Sequence, residues 1–230
     1  LQDAERQRRS LTADIAHELR NPLAVLQGNL EALSDSILPP SPDNLQPLLA
    51  QTQLLARIVE DLRTISLAEA GQLALERAPT APGRLSESVL ARYAQVAQER
   101  QITLAVLAAD DLPSITIDAQ RIEQVLGNLI SNALRHTPAG GCVVCRVERT
   151  AEPSTAVTFS VEDTGPGIPQ DALPHIFDRF YRVDRGRARA DGGSGLGLSI
   201  ARQLVEAHHG AIYANNRPQG GATFSFWLPV

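Results

Sequence analysis

Residues 11–37, LTADIAHELRNPLAVLQGNLEALSDSI, place Leu11, Ile15, Leu19, Leu23, Leu26, Leu30, Leu33 and Ile37 at steps of three or four. That spacing is one apolar stripe of a long helix. The stripe is expected to stop at LPPSPD, where Pro39, Pro40 and Pro42 cannot continue it. Asp43 or Asn44 can cap a second helix, with Pro47 in its first turn, where N–H groups lack intrahelical partners anyway. Leu45, Leu48, Thr52, Leu55, Val59 and Leu62 then repeat as a heptad seam. Two antiparallel helices joined by a short turn cannot bury such seams alone. The pattern therefore predicts a second copy and a dimeric four-helix bundle.

Beyond Ala70 the text changes to GQLALERAPTAPGR, which reads as a linker over 71–84 between a helical hairpin (1–70) and a second domain (85–230). The second domain mixes periods. Helices are expected at Leu85 to Arg100, Ala119 to His136 and Ser199 to His208, and strands at Ile102 to Ala108, Ser114 to Asp118, Cys142 to Thr150, Ala156 to Glu162, Ala211 to Asn215 and Ala222 to Leu228. Helices placed between strands predict an α/β architecture with a helix layer on a mixed sheet. Cys142 and Cys145 form a CxxC in one of those strands, where positions three apart point to opposite faces, so they read as structural thiols and not as a metal or redox pair.

Composition removes several function classes. Aromatic residues make up 4% with a single Trp, too few for a base-stacking platform, and the net charge of −5 argues against a nucleic-acid surface. No apolar run approaches the roughly 20 residues that cross a bilayer. All 21 basic residues are Arg, which excludes lysine chemistry and P-loops. The chain has no Met and opens in a charged stretch, LQDAERQRR, so it is expected to be a piece of a longer protein.

Four stretches carry chemistry. In DIAHELRNPL, His17 lies about 200° from Ile15 and Leu19 around the helix and so points away from the stripe. Glu18 adjoins it, Asn21 follows one turn on, and Pro22 loosens that turn by removing one hydrogen bond. An HExxH zinc site is excluded because Asn21 stands at the second His position. In QVLGNLISNALRHTP, Asn128 and Asn132 share a helix face, where paired amide oxygens suit a hard cation such as Mg²⁺, and Arg135 lies one turn on, within reach of a phosphate. In VEDTGPGIP a strand ends at Asp163, an acceptor-only side chain suited to an exocyclic amino group, beside Gly165 and Gly167. In GGSGLGLSI, Gly192, Gly193, Gly195 and Gly197 precede a helix whose N-terminal N–H groups favour phosphate. The Arg-rich stretch 177–193 between the last two, with Arg179 and Arg182, reads as a lid. His208 and His209 read as structural residues favoured by a helix C-terminus.

Together these stretches resemble the sensor histidine kinases of bacterial two-component systems. IAHELRNPL is similar to the family's H box, NLISNALRHT to its N box, DTGPGI and GGSGLGLSI to its glycine boxes, FDRFYR to its F box and GGATFSFWLP to its terminal glycine strand. The resemblance covers essentially the whole chain. It implies a dimerisation and phosphotransfer hairpin followed by a Bergerat-type ATP-binding α/β sandwich. His17 would be the phosphoacceptor, Glu18 its general base, and Asn21 the residue that orients water in a phosphatase reaction. Asn132, assisted by Asn128, would hold Mg²⁺, and Asp163 would bind adenine in a pocket shaped by Gly165 and Gly167. Arg135, Arg179, Arg182 and the backbone of Gly193, Gly195, Leu196 and Gly197 would meet the phosphates of ATP. The implied partners are a second copy and a response-regulator receiver domain. The implied location is the cytoplasmic portion of a membrane-anchored protein. The alternative readings are a response-regulator phosphatase and a nucleotide-gated dimeric scaffold.

Overall fold

The computed structural model describes residues 2–150, 155–183 and 195–230, with side chains in the first helix given at 15 and 16 and from 19 onward. The chain divides into two compact units, 1–63 and 64–230. Among the described residues no helix is long and apolar enough to cross a membrane.

Two helices, α1 (Gln2–Ser34) and α2 (Pro42–Glu69), are joined by a turn. Helix α1 stops before the prolines are reached. Ser36 adopts φ 56°, and the N–H groups of Ile37 and Leu38 both return to the Ala32 carbonyl, at 2.9 and 3.0 Å. A left-handed residue closing the last turn in this way ends the helix by itself, so Ile37, the last residue of the expected stripe, lies past the helix end. Helix α2 starts at Pro42, one residue ahead of Asp43 and two ahead of Asn44, the expected caps: the Asn44 and Leu45 N–H groups bond the Ser41 carbonyl, and proline suits the first helical position. Pro47 therefore sits in the second turn, where it removes the bond to the Asp43 carbonyl. Leu48 and Ile58 are buried, whereas Leu23, Leu30, Leu45, Leu49 and Val59 are exposed.

The second unit continues with β1 (Ala78–Thr80), α3 (Pro82–Ala91), α4 (Ala94–Glu99), β2 (Thr103–Ala108), β3 (Ile115–Ile117), α5 (Ala119–His136), β4 (Cys142–Thr150), β5 (Ala156–Asp163), α6 (Gly197–Ala207), β6 (Ala211–Asn216) and β7 (Ala222–Pro229). The expected linker is partly ordered: β1 pairs antiparallel with β3. The helix expected over 85–100 is two helices. At the break, Arg92 and Tyr93 donate to the carbonyls of Val89 and Leu90, three residues back. The Tyr93 hydroxyl donates to the Gly127 carbonyl on α5 at 3.2 Å, and a Cβ at Gly127 would meet that hydroxyl at 3.0 Å. A tertiary contact thus sets the break, which local periodicity does not register.

Five strands form one mixed sheet in the order β2-β4-β5-β7-β6, parallel only between β2 and β4. Helices α3 to α6 pack on it, and α5 buries Ile122, Val125, Leu126, Leu129, Ile130 and Ala133 as its spacing predicts. In β5, Val157, Phe159, Val161 and Asp163 are buried at alternate positions, and Phe159 stacks on Phe226 at 4.8 Å. Such a half-buried central strand fixes its own register, because a one-residue slip would expose the whole set. In β4, Cys145 faces the core and its thiol is pushed up to about 11 by burial, while Cys142 is half-exposed; both are free thiols.

His208, 2% exposed, closes this unit. Its Nε2 accepts the Asp118 N–H at 3.1 Å, and its Nδ1 lies 2.7 Å from the Leu204 carbonyl, which can only accept, so Nδ1 carries the proton. The residue is therefore a neutral linchpin and not the cation expected at a helix end. Burial lowers its pKa, the Leu204 carbonyl and Asp118 oppose this, and Arg77 and His209 reinforce it. Because the unfolded chain takes up the proton first, near the ordinary value of about 6.5, this contribution to stability is complete above that pH and is lost as pH falls below it. The urea midpoint followed by the fluorescence of Trp227, the single Trp, is expected to drop between pH 7 and pH 5, and His208→Gln to flatten that dependence.

Candidate functional site

The site forms at one end of the sheet. Strand β5 delivers Asp163, 4% exposed, as its last residue. Its Oδ1 accepts two backbone N–H bonds, from Gly165 at 2.8 Å and from Ala222 at 3.2 Å. Oδ2 is then the oxygen that can accept from a ligand. A carboxylate oriented in this way recognises a donor, as the sequence reading expects for an amino group.

The glycines around it are set by close approach. A Cβ at Gly165 would lie 2.7 Å from the His136 carbonyl at the end of α5. At Gly167, with φ +79°, it would lie 2.8 Å from Asn216 Oδ1. At Gly221, with φ +92°, it would lie 1.9 Å from the Asp163 carbonyl. Glycine at these places lets three backbone segments converge on the carboxylate. Asn216 and Arg217 escaped the sequence reading of the site, and Gly221 entered it only within GGATFSFWLP, with no role assigned. The only local signal was the glycine pair in NRPQGG, which reads as an ordinary turn.

Helix α5 supplies Asn128, Asn132 and Arg135, all half-buried. Asn128 Nδ2 donates to the Gly197 carbonyl at 2.9 Å, which ties α5 to the first turn of α6 and directs the amide oxygen elsewhere. Neutral amide oxygens are hard donors that suit Mg²⁺ only when anionic oxygens of a ligand complete its shell. Among the described residues no group of three or more His, Cys, Asp or Glu side chains could hold a metal alone. The donor set therefore fits a cation that arrives with phosphate.

Gly195 and Leu196 lead into α6. Leu196 is fully buried, and Gly195, at φ +71°, accepts the Phe180 N–H at 3.1 Å. This bond pins both stems of the stretch expected to be a lid. Residues 184–194 of that stretch, Gly193 among them, lie outside the described residues. Arg182 reaches the same region with Nη2 buried and unpartnered among the described residues. Arg179 pairs with Glu69 at the end of α2. His17 and Glu18 lie on α1, and their side chains are outside the described residues. Asn21, on the same helix, is exposed.

Fold and site together define a class: a nucleotide-binding α/β sandwich behind a helical hairpin. Residues 7–71 match the His Kinase A (phospho-acceptor) domain, and residues 117–230 match the histidine kinase-, DNA gyrase B-, and HSP90-like ATPase family. The signal transduction histidine-protein kinase BaeS of Escherichia coli (strain K12) is 38% identical over 100% of this chain, which spans 48% of that protein. Among solved structures, the Acinetobacter baumannii histidine kinase AdeS is 30% identical with a TM-score of 0.77, over 93% of this chain and 97% of that one. The histidine kinase ThkA, in complex with response regulator protein TrrA, is 26% identical with a TM-score of 0.73, over 97% of this chain and 63% of that one. The chain belongs to the sensor histidine kinase family. It spans about half the length, or less, of the curated relatives it matches.

The two adjacent glycines give a direct check on the convergence of segments. Gly220 and Gly221 have φ +94° and +92°, but only Gly221 is crowded, since a Cβ at Gly220 would meet nothing within 4 Å. Gly221→Ala is expected to cost more than about 1 kcal/mol of stability, and clearly more than Gly220→Ala, in urea titrations of the two variants.

Proposed function

We propose that this chain is the kinase portion of a two-component sensor: it transfers the γ-phosphoryl group of ATP to His17 and passes it to an aspartate of a response regulator. The observation that carries the reading is Asp163 itself, a buried carboxylate with one oxygen fixed by two backbone amides, in a loop whose Gly165 packs against the His136 carbonyl of α5, the helix that bears Asn128 and Asn132. The ATPase-family match over the same residues and the resemblance of the H box supply the rest. The regulator in complex with ThkA supports a receiver domain as partner.

In this reading Asp163 accepts the adenine amino group, and Gly165 and Gly167 let the base approach the backbone. Asn132 and Asn128 would hold Mg²⁺, which when bound neutralises phosphate charge. Arg135 and Arg182, with backbone N–H groups of Gly193, Gly195, Leu196 and Gly197, meet the phosphates, and Arg179 joins them when it leaves Glu69. The neutral imidazole of His17 attacks phosphorus with one ring nitrogen; an N–P bond forms, the bond to the ADP oxygen breaks, and Glu18 takes the proton of the other nitrogen. Positioning and charge neutralisation are nearly all that phosphoryl transfer asks of a protein. In the second step the N–P bond breaks as an aspartate oxygen bonds to phosphorus. In this reading Asn21, exposed on α1, would orient water for the reverse control, hydrolysis of that acyl phosphate. A reaction that draws on ATP and a receiver domain would run in the cytoplasm.

The hairpin is proposed to act as a homodimer. Leu30 is 49% exposed, Ile37 73% and Leu49 60%, and an open groove of about 460 Å³ is lined by Pro42, Leu45, Gln46, Leu49, Ala50 and Gln53. Exposed apolar side chains of this kind call for a covering surface, and a second identical hairpin offers the same heptads in return.

Incubation with γ-labelled ATP and Mg²⁺ is expected to give an acid-labile, base-stable label that is absent from His17→Gln and from Asn132→Asp. No label on the wild-type chain, together with faster loss of phosphate from an added phospho-regulator, would favour the phosphatase reading instead. Sedimentation at micromolar concentration is expected to show a dimer, shifted toward monomer by Leu30→Glu.

A further inference from the structure

The loop that carries the adenine carboxylate, Asp163 to Ile168, contains two glycines and a proline and would be loose if held only by its own chain. It is bracketed from outside by two consecutive residues at the end of β6. Asn216 makes a two-point bond to one main-chain unit: its Oδ1 accepts the Ile168 N–H and its Nδ2 donates to the Ile168 carbonyl, each at 2.7 Å. Arg217 holds the opposite end. Its Nη1 donates to the Asp163 carbonyl at 2.9 Å and its Nη2 lies 3.5 Å from Glu162. The Arg217 N–H donates to the Gly221 carbonyl at 2.9 Å, so the same turn brings Gly221 and the Ala222 N–H against Asp163.

We propose that Asn216 and Arg217 are a positioning pair for the base end of the nucleotide site: they touch no ligand, and they fix both ends of the loop so that Asp163 and the Gly165–Gly167 backbone meet adenine without first being ordered. The inference rests on the nucleotide reading given above. A side-chain amide that pairs with both polar groups of one residue replaces a strand partner. It also explains Gly167, because any Cβ there would strike Asn216 Oδ1 at 2.8 Å. Pre-ordering of a loop appears in ligand affinity, since a free loop loses its entropy on binding. The phosphate end, built on α5 and the start of α6, is anchored separately through Asn128.

The test compares the 230-residue wild-type chain with Asn216→Ala and Asn216→Asp, measuring the Kd of Mg·ADP by calorimetry, the rate of self-labelling at saturating and limiting ATP, and the urea midpoint. Loss of two neutral hydrogen bonds is expected to weaken ADP binding about tenfold in Asn216→Ala, to raise the half-saturating ATP concentration by the same factor, to lower the urea midpoint modestly with the chain still folded, and to leave the rate at saturation unchanged. Asn216→Asp keeps the acceptor for the Ile168 N–H and is expected to fall between the two. Wild-type ADP affinity in Asn216→Ala overturns the proposal while the nucleotide reading stands, as does a fall in the saturated rate equal to the loss in affinity. A wild-type chain that binds no ADP overturns the nucleotide reading and the proposal together.

Discussion

One buried carboxylate organises the functional half of this molecule. Asp163 ends the central strand of the sheet, and the oxygen that accepts from Gly165 and Ala222 joins two segments remote in sequence, the loop after β5 and the start of β7. A polar side chain at 4% exposure is tolerable only when its hydrogen-bonding capacity is used. Two backbone amides satisfy one oxygen, and the remaining acceptor is the reason for the site. Around it lie glycines where three backbones converge, a β5 that cannot slip in register, and the end of α5, whose His136 carbonyl approaches Gly165.

Much of this could be read directly from residue order. Helix α5 and strand β4 begin and end where their apolar spacing says, because each buries one face against a single layer and nothing else competes. Asp163 was legible as a strand end followed by glycines. Asn216 and Arg217 were not, since their work is done on residues about fifty positions away and no local pattern encodes a partner at that distance. The break between α3 and α4 was hidden for the same reason: it is set by Tyr93 reaching Gly127. His208 looked like a cation at a helix end, and only its burial against Asp118 makes it a neutral acceptor.

The helical unit shows the opposite balance. Its periodicity announced the helices, yet the ends were displaced by turn chemistry, a left-handed Ser36 and a proline used at the first helical position. Among the apolar residues that a single chain leaves exposed, Leu23, Leu30, Leu45 and Val59 lie along heptad spacings that a lone hairpin has no means to cover. The reaction proposed for His17 thus draws on two surfaces of different character. One is a rigid nucleotide cradle fixed by backbone hydrogen bonds, and the other a helix pair whose stability is proposed to depend on its twin.

The central claim is that the Asp163 carboxylate reads an adenine amino group. Calorimetric titration of the chain with the non-hydrolysable analogue AMPPNP, beside its guanine counterpart, tests it most directly. The account predicts saturable, Mg²⁺-dependent binding of the adenine compound and a far weaker response to guanine, whose carbonyl would face an acceptor at the same place. Equal affinity for both bases, or heat from neither, would contradict it.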